Sequence, residues 1–231
     1  MKTYQQKQEQ LFDELENQFR KGSAQTSVVE ATDDYVDDKR ICLTGVIFLS
    51  ENLQEQIVKK IIEPLQQADG NQYYYEPAAL HLTIQNIRTV NYPPLFNDED
   101  IEIARTVFRK IIPRFKPFTF ALKGLFELPT SLGIRGYSDK MLGTLTRKLR
   151  AELKVSSVPD NKKYASDNVI FGNVSICRYI SNPSKDFMRE IQKLKDIDIG
   201  DLIIDKVSLI TTNAVCHSSK TEVLEEYLLG G

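Results

Sequence analysis

The chain has 231 residues, 41% hydrophobic and 27% charged, which is an ordinary globular composition with enough apolar side chains for a sizeable core. Thirty Lys and Arg against 32 Asp and Glu give a net charge of −2, so no overall basic character draws in nucleic acid and any such contact depends on a local patch. Three cysteines and two histidines without metal-ligand spacing leave almost nothing from which to build a zinc site. No apolar run approaches the ~18 residues that a membrane helix needs. The polar, glutamine-rich start does not read as a signal peptide, and the odd cysteine count fits a reducing, cytoplasmic setting with buried thiols.

Residues 3–21 are expected to form a helix, with Leu11, Leu15 and Phe19 on one narrow stripe. Residues 22–39 carry Gly22, several Ser and Thr, and the acidic group Asp33, Asp34, Asp37 and Asp38, and read as a loop. The expected organisation is therefore an N-terminal helix and acidic linker over 1–39, followed by a compact domain over 40–231. Ile41 to Leu49 has the continuous apolar character of a central strand. Ser50 caps a helix running to Ala68, and Pro64 inside it predicts a kink or an early end. After the run Tyr73 to Tyr75 comes a strand from Leu80. Asn97 opens a helix over about 98–112, and Pro113 and Pro117 close it. Phe118 to Leu128 and Leu132 to Tyr137 read as a hairpin. Asp139 caps the next helix, a polar loop covers 155–167, and Val169 to Ile180 is a strand. Ser181-Asn182-Pro183 opens another helix, and Leu202 to Thr212 and Glu222 to Leu229 are the last strands. The first half reads strand, helix, strand, helix, strand, strand. The second reads helix, strand, helix, strand, strand, an approximate repeat with one lobe expected per half.

One stretch in each half carries chemistry. Leu80-His81-Leu82-Thr83-Ile84-Gln85 alternates apolar and polar residues, so His81 and Thr83 share the face opposite Leu82 and Ile84. An imidazole moves a proton near neutral pH, and a hydroxyl donates to an anionic oxygen. Asn173-Val174-Ser175-Ile176-Cys177-Arg178 repeats the form 173 − 81 = 92 residues later.

These stretches resemble the paired His-x-Thr/Ser motifs of the 2H phosphoesterases, typified by 2′-5′ RNA ligases and RNA 2′,3′-cyclic phosphodiesterases. His81-Leu82-Thr83-Ile84 fits the first motif at every position. Asn173-Val174-Ser175-Ile176 is similar to the second, with asparagine in place of its histidine. The resemblance spans roughly Arg40 to Leu229. It implies an α+β, bilobal, pseudo-symmetric fold in which two antiparallel sheets form a central cleft with helices outside. It also implies metal-independent, cofactor-free hydrolysis of a nucleotide or RNA phosphodiester such as a 2′,3′-cyclic phosphate. His81 is then a general acid or base, and Thr83 and Ser175 hold the phosphate. Asn173 does not titrate in this range but can donate a hydrogen bond. Two readings stay open: a phosphoric diester hydrolase, and a catalytically impaired homologue that binds nucleotide or RNA ends without turnover. In a third, the N-terminal helix makes the chain an interaction protein.

Further residues are weighed beside these. Arg135 and Tyr137 are possible substrate-binding groups. His217 reads as a loop histidine of the terminal hairpin. Arg178 has the strand parity of Val174 and Ile176, which predicts a structural ion pair facing away from the cleft. Gln85 and Cys177 have cleft parity. The acidic stretch Asp33 to Asp38 is a candidate to fold over a positively charged cleft.

Overall fold

The structure is a computed structural model that describes residues 2–23 and 29–230; Met1, Gly231 and residues 24–28 of the expected linker lie outside the described residues. Helix α1 (Tyr4–Arg20) starts at a capping box in which Thr3 and Gln6 satisfy each other's backbone N–H groups. Strand β1 (Ile41–Phe48) is buried along most of its length. The helix expected to run to Ala68 with a kink or an early end at Pro64 does reach Ala68. Helix α2 (Glu51–Ile57) passes into a π-helical turn at Val58–Ile62 and resumes as α3 (Glu63–Ala68). Proline offers no N–H and its ring crowds the preceding turn, and the wider π turn just upstream accommodates both defects.

Strands β2 (Tyr73–Tyr74) and β3 (His81–Asn91) follow. Helix α4 (Asp98–Ile111) begins at an Asn97–Asp100 capping box, with Asp98, Glu99 and Asp100 in its first turn and Arg109 and Lys110 in its last, each sign where the helix dipole favours it. Then come β4 (Phe118–Leu128), β5 (Ser131–Ser138), α5 (Lys140–Val155), β6 (Gly172–Arg178) and α6 (Lys185–Leu194). The strand expected over 202–212 is two strands, β7 (Asp198–Ile204) and β8 (Lys206–Thr212), and β9 (Glu222–Leu228) ends the order.

Among the described residues the strands form one antiparallel sheet in the order β7-β4-β5-β6-β3-β1-β8-β9, with β2 paired to β6. Its two halves meet at a single registered pair, Leu82 with Val174. The sequence halves are not the sheet halves, which corrects the expected one-lobe-per-half assignment. The β4–β5 hairpin joins β6 and β7, while β8 and β9 return to β1 and β3. The first half of the chain thus lends β4, β5 and the short β2 to the sheet half of β6 and β7, the second lends β8 and β9 to that of β1 and β3, and the break at Asp205 is where the chain passes between them.

Helix α1 packs on β4 and β5 and builds a second apolar cluster there. Phe12 is fully buried, with its ring centroid 4.9 Å from that of Phe126, 5.7 Å from Tyr137 and 4.5 Å from Phe171. Two polar residues that the narrow stripe did not mark are also buried because both are satisfied. Gln8 Nε2 donates to the Ile170 carbonyl (2.7 Å), and Glu16 accepts from Arg135 (2.8 Å). Phe12→Ala is expected to lower stability by about 3 kcal/mol, the scale of an emptied aromatic core site. A urea titration monitored by circular dichroism measures this, and an unchanged midpoint would show that α1 adds nothing to the fold.

Candidate functional site

Leu82 and Val174 are both fully buried at the seam. Successive strand residues face opposite ways, so their neighbours His81, Thr83, Asn173 and Ser175 turn together to the other face. All four line one cavity of about 580 Å³, within the size range of small-molecule sites. In this register His81 and Ser175 flank the central pair on one side and Thr83 and Asn173 flank it on the other. A Cβ on Gly133 would stand 3.2 Å from Asn173 Nδ2, so the absent side chain leaves that carboxamide its place.

The His81 ring is fixed from behind. Its Nδ1 lies 2.7 Å from the carbonyl of Ala79, in the short 3₁₀ turn before β3. A carbonyl only accepts, so Nδ1 carries a proton and Nε2 faces the cavity. There Nε2 stands 3.7 Å from Cys216 Sγ.

Two β-bulges change which residues join the site. On β6, Leu132 pairs with Cys177 and Gly133 with Ser175, leaving Ile176 as the extra residue. The strand's parity inverts there. Arg178 therefore lines the cavity, and Cys177 does not. The ion pair expected for Arg178 is absent among the described residues: Nε donates to Tyr75 Oη (3.1 Å) and a terminal nitrogen donates to the Ala214 carbonyl (3.3 Å). On β3, Ile84 is the extra residue between the Gly45–Gln85 and Val46–Thr83 pairs. Asn86 consequently lines the cavity while Gln85 turns behind it, donating to Asp160 Oδ2 at 2.9 Å.

Other walls come from segments with no strand period. The 155–167 loop contributes Lys162 and Tyr164, and the Arg150 guanidinium lies 3.6 Å from the Tyr164 ring centroid. Leu15 and Phe19 of α1 join Phe126 and Phe171 in an apolar end. Arg135 and Tyr137 lie outside the cavity lining, although Arg135 pairs with Asn173 in register and so starts on the same face. The reason is α1, whose Asp13 (2.9 Å) and Glu16 (2.8 Å) hold the Arg135 guanidinium while Tyr137 packs on Phe12. His217 is also outside the lining, 3.5 Å from Glu76 and 2.8 Å from Ser219 Oγ. The stretch Asp33 to Asp38 does not line the cavity. Asp38 pairs with Arg40 and Asp37 with Lys220, and Val29 and Glu30 reach the lining instead.

No protein-family model matches the chain. In sequence it is 24% identical over 165 residues to an RNA 2′,3′-cyclic phosphodiesterase of Aquifex aeolicus (strain VF5), covering 68% of this chain and 82% of that protein. In structure it is similar to E. coli LigT complexed with ATP (TM-score 0.57, 14% identity, 84% of this chain and all of LigT). It is likewise similar to TT0787 of Thermus thermophilus (TM-score 0.60, 14% identity, 82% of this chain and 98% of the other). The chain is thus similar in sequence to an RNA 2′,3′-cyclic phosphodiesterase and in fold to LigT-like phosphoesterases. Its curled antiparallel sheet, with helices packed against it, is the LigT-like 2H fold.

Among the described residues, no three His, Cys, Asp or Glu side chains are grouped to hold a metal ion, and no helix is long and apolar enough to cross a membrane. The cavity's electrostatics come from side chains. Burial pushes the His81 imidazolium towards the neutral form and Arg178 adds to that, but Cys216 and the Ala79 carbonyl outweigh both and hold its pKa above the ordinary value. Burial, followed by the Arg178 charge, pushes the Lys162 ammonium down. Sequence reasoning missed Cys216, Tyr75 and the α1 residues. Their positions depend on loop closure and helix docking, for which a strand period gives no signal.

The His81 shift has a measurable consequence. In an NMR pH titration, with His217→Gln to assign the resonances, His81 is expected to titrate above the ~6.5 of an unperturbed histidine. In Cys216→Ala its pKa is expected to fall, because burial and Arg178 remain while the thiol's contribution is gone. A pKa unmoved by that substitution would refute the assigned cause.

Proposed function

We propose that the chain hydrolyses a nucleoside 2′,3′-cyclic phosphate without a metal, His81 acting as general acid and Thr83 and Ser175 holding the phosphate. Asn173 stands in this reading where the family's second histidine stands. The observation that carries the proposal is the gathering of these four side chains around the Leu82–Val174 pair in one cavity. The Aquifex relative, an RNA 2′,3′-cyclic phosphodiesterase, and LigT, crystallised with ATP and with 3′-AMP, support a nucleotide phosphoester as the substrate.

The chemistry follows from the donors. Water attacks phosphorus, one ring P–O bond breaks, and the departing sugar oxygen takes the Nε2 proton of His81. The proton shed by the attacking water restores the imidazolium, so the cycle closes without net proton change. Thr83 and Ser175 hydroxyls, the Asn173 amide and the Arg178 guanidinium supply donors for the non-bridging oxygens, whose charge grows in the transition state. Asn173 cannot take the water's proton, so the reaction runs with acid assistance alone. Loss of one general acid or base costs about 10²–10⁴ in rate, and the proposal accordingly includes slow turnover. Helix α1 covers the face that carries Arg135 and closes one end of the cavity, which favours a mononucleotide over a long RNA.

A second reading, ligand binding without turnover, is favoured by the same Asn173. One experiment separates the two: metal-free incubation of 2′,3′-cyclic AMP and of a short RNA ending in a 2′,3′-cyclic phosphate, followed by chromatography. Wild type is expected to open the cyclic mononucleotide faster than the RNA. His81→Ala is expected to lose at least about 100-fold, and Asn173→His to gain. Turnover in Asn173→His alone selects the binding reading. No turnover in any variant, with no heat of binding in calorimetry, overturns both.

A further inference from the structure

Cys216 makes and breaks no bond in the reaction above, yet its Sγ stands 3.7 Å from His81 Nε2. It sits in the loop after β8 with a backbone φ of +50°, a left-handed conformation that is uncommon for a residue with a side chain. The loop is held there by Asn213. Its Oδ1 accepts from the N–H groups of Val215 (3.2 Å) and His217 (3.1 Å), and its Nδ2 donates to the Tyr35 carbonyl (2.7 Å). The thiol is thus held at the cavity wall, and the cavity gives it a route to solvent. The titratable and charged groups that face it are His81 on β3, Arg178 on β6, Cys42 on β1, and Tyr73 and Tyr75 before β3. A nucleophile within reach of a base that is itself oriented by a third group, here the Ala79 carbonyl, is the arrangement that activates a thiol.

The other cysteines serve as internal references. Cys42 and Cys177 are also free and buried, but neither shares a hydrogen bond with a histidine among the described residues. Burial pushes both of their thiols up. It pushes Cys216 up as well, but His81, then Thr212 and Arg178, reverse the direction and hold it below the usual thiol range.

We propose that Cys216 is a reactive thiol and the covalent modification site of this cleft, its proton passing to His81 Nε2 and its thiolate attacking small neutral electrophiles such as hydrogen peroxide. With peroxide, an S–O bond forms as the O–O bond breaks. Sulfur is oxidised and peroxide is reduced. The departing hydroxide takes the proton held by His81, leaving a sulfenic acid, a neutral imidazole and water. The added oxygen lies between Sγ and Nε2, where a phosphate ester would meet His81. Loss of turnover on modification rests on the phosphoesterase reading; the reactivity itself does not.

The test is therefore a labelling rate. Full-length protein is treated with iodoacetamide between pH 6 and 9, and each cysteine peptide is followed by mass spectrometry. At pH 7 Cys216 is expected to label at least about tenfold faster than Cys42 or Cys177. An ordinary thiol of pKa ≈ 8.5 loses roughly 50-fold in rate between pH 8.5 and 6.5, and Cys216 is expected to lose less than about tenfold. His81→Ala and the near-isosteric His81→Gln are each expected to restore the steep profile. After peroxide treatment, dimedone is expected to mark Cys216 in wild type. Labelling of Cys216 no faster than the other two, or a pH profile unchanged in both His81 variants, overturns the proposal.

Discussion

The registered pair Leu82–Val174 joins two halves of a sheet whose other neighbouring strands along the main order are stitched by five or more pairs each, and the site is built on its flanks. A slip of one residue at this seam would turn His81 and Thr83 into the core and Leu82 into the cavity. The pairing is secured by packing more than by ladder hydrogen bonds. Leu82 and Val174 are fully buried, and Gly172 leaves the space that Leu82 and Phe120 fill: a Cβ there would come within 2.4 Å of Leu82 Cδ1. Because the two strands share so little ladder, they separate on either side of the pair, and the opening between them becomes the cavity.

Helix α1 is the second constraint. It lies on the same sheet face as Asn173 and takes Arg135 out of reach of any ligand through two carboxylates. These ion pairs are partly buried, and breaking them from one side would strand a guanidinium beside the Phe12 ring, whose centroid it approaches to 5.3 Å. The helix therefore acts as a fixed wall. It replaces a basic, open stretch of sheet with an apolar end made by Leu15, Phe19, Phe126 and Phe171.

Much of this was legible in the sequence. The alternation from Leu80 to Gln85 placed His81 and Thr83 on one face, and the second motif placed Asn173 and Ser175, because strand periodicity is a local property of contiguous residues. The same logic misplaced Arg178 and Gln85, since it assumes an unbroken strand. One extra residue at Ile176 inverts the side chains that follow it, and one at Ile84 does so as far as the next register shift in β3, at Ile87. The helical stretch to Ala68 was likewise read from its apolar face, and the kink or early end expected at Pro64 is met by a π turn just upstream, at Val58–Ile62. The exchange of hairpins between sheet halves is a matter of long-range pairing, which element order alone does not encode.

The cavity's charge balance decides what its single histidine can do. His81, Arg178 and Lys162 all line it, and Arg178 forms no ion pair among the described residues. An anion entering this space meets donors already oriented by backbone carbonyls and by Tyr75, so little reorganisation accompanies binding. The same positive surroundings favour the thiolate form of Cys216 and, through it, the protonated form of His81. Both groups draw on one proton. When it sits on Nε2, the histidine is an acid beside a thiolate; when it sits on sulfur, the histidine is a neutral acceptor. A phosphate ester that displaces Sγ from Nε2 substitutes one anion for another and leaves the proton on the histidine. In the proposed reaction that substitution would keep the acid loaded although Asn173 cannot carry a proton. On the two proposals above, the reactive thiol and the phosphate site occupy the same few ångströms of the fold.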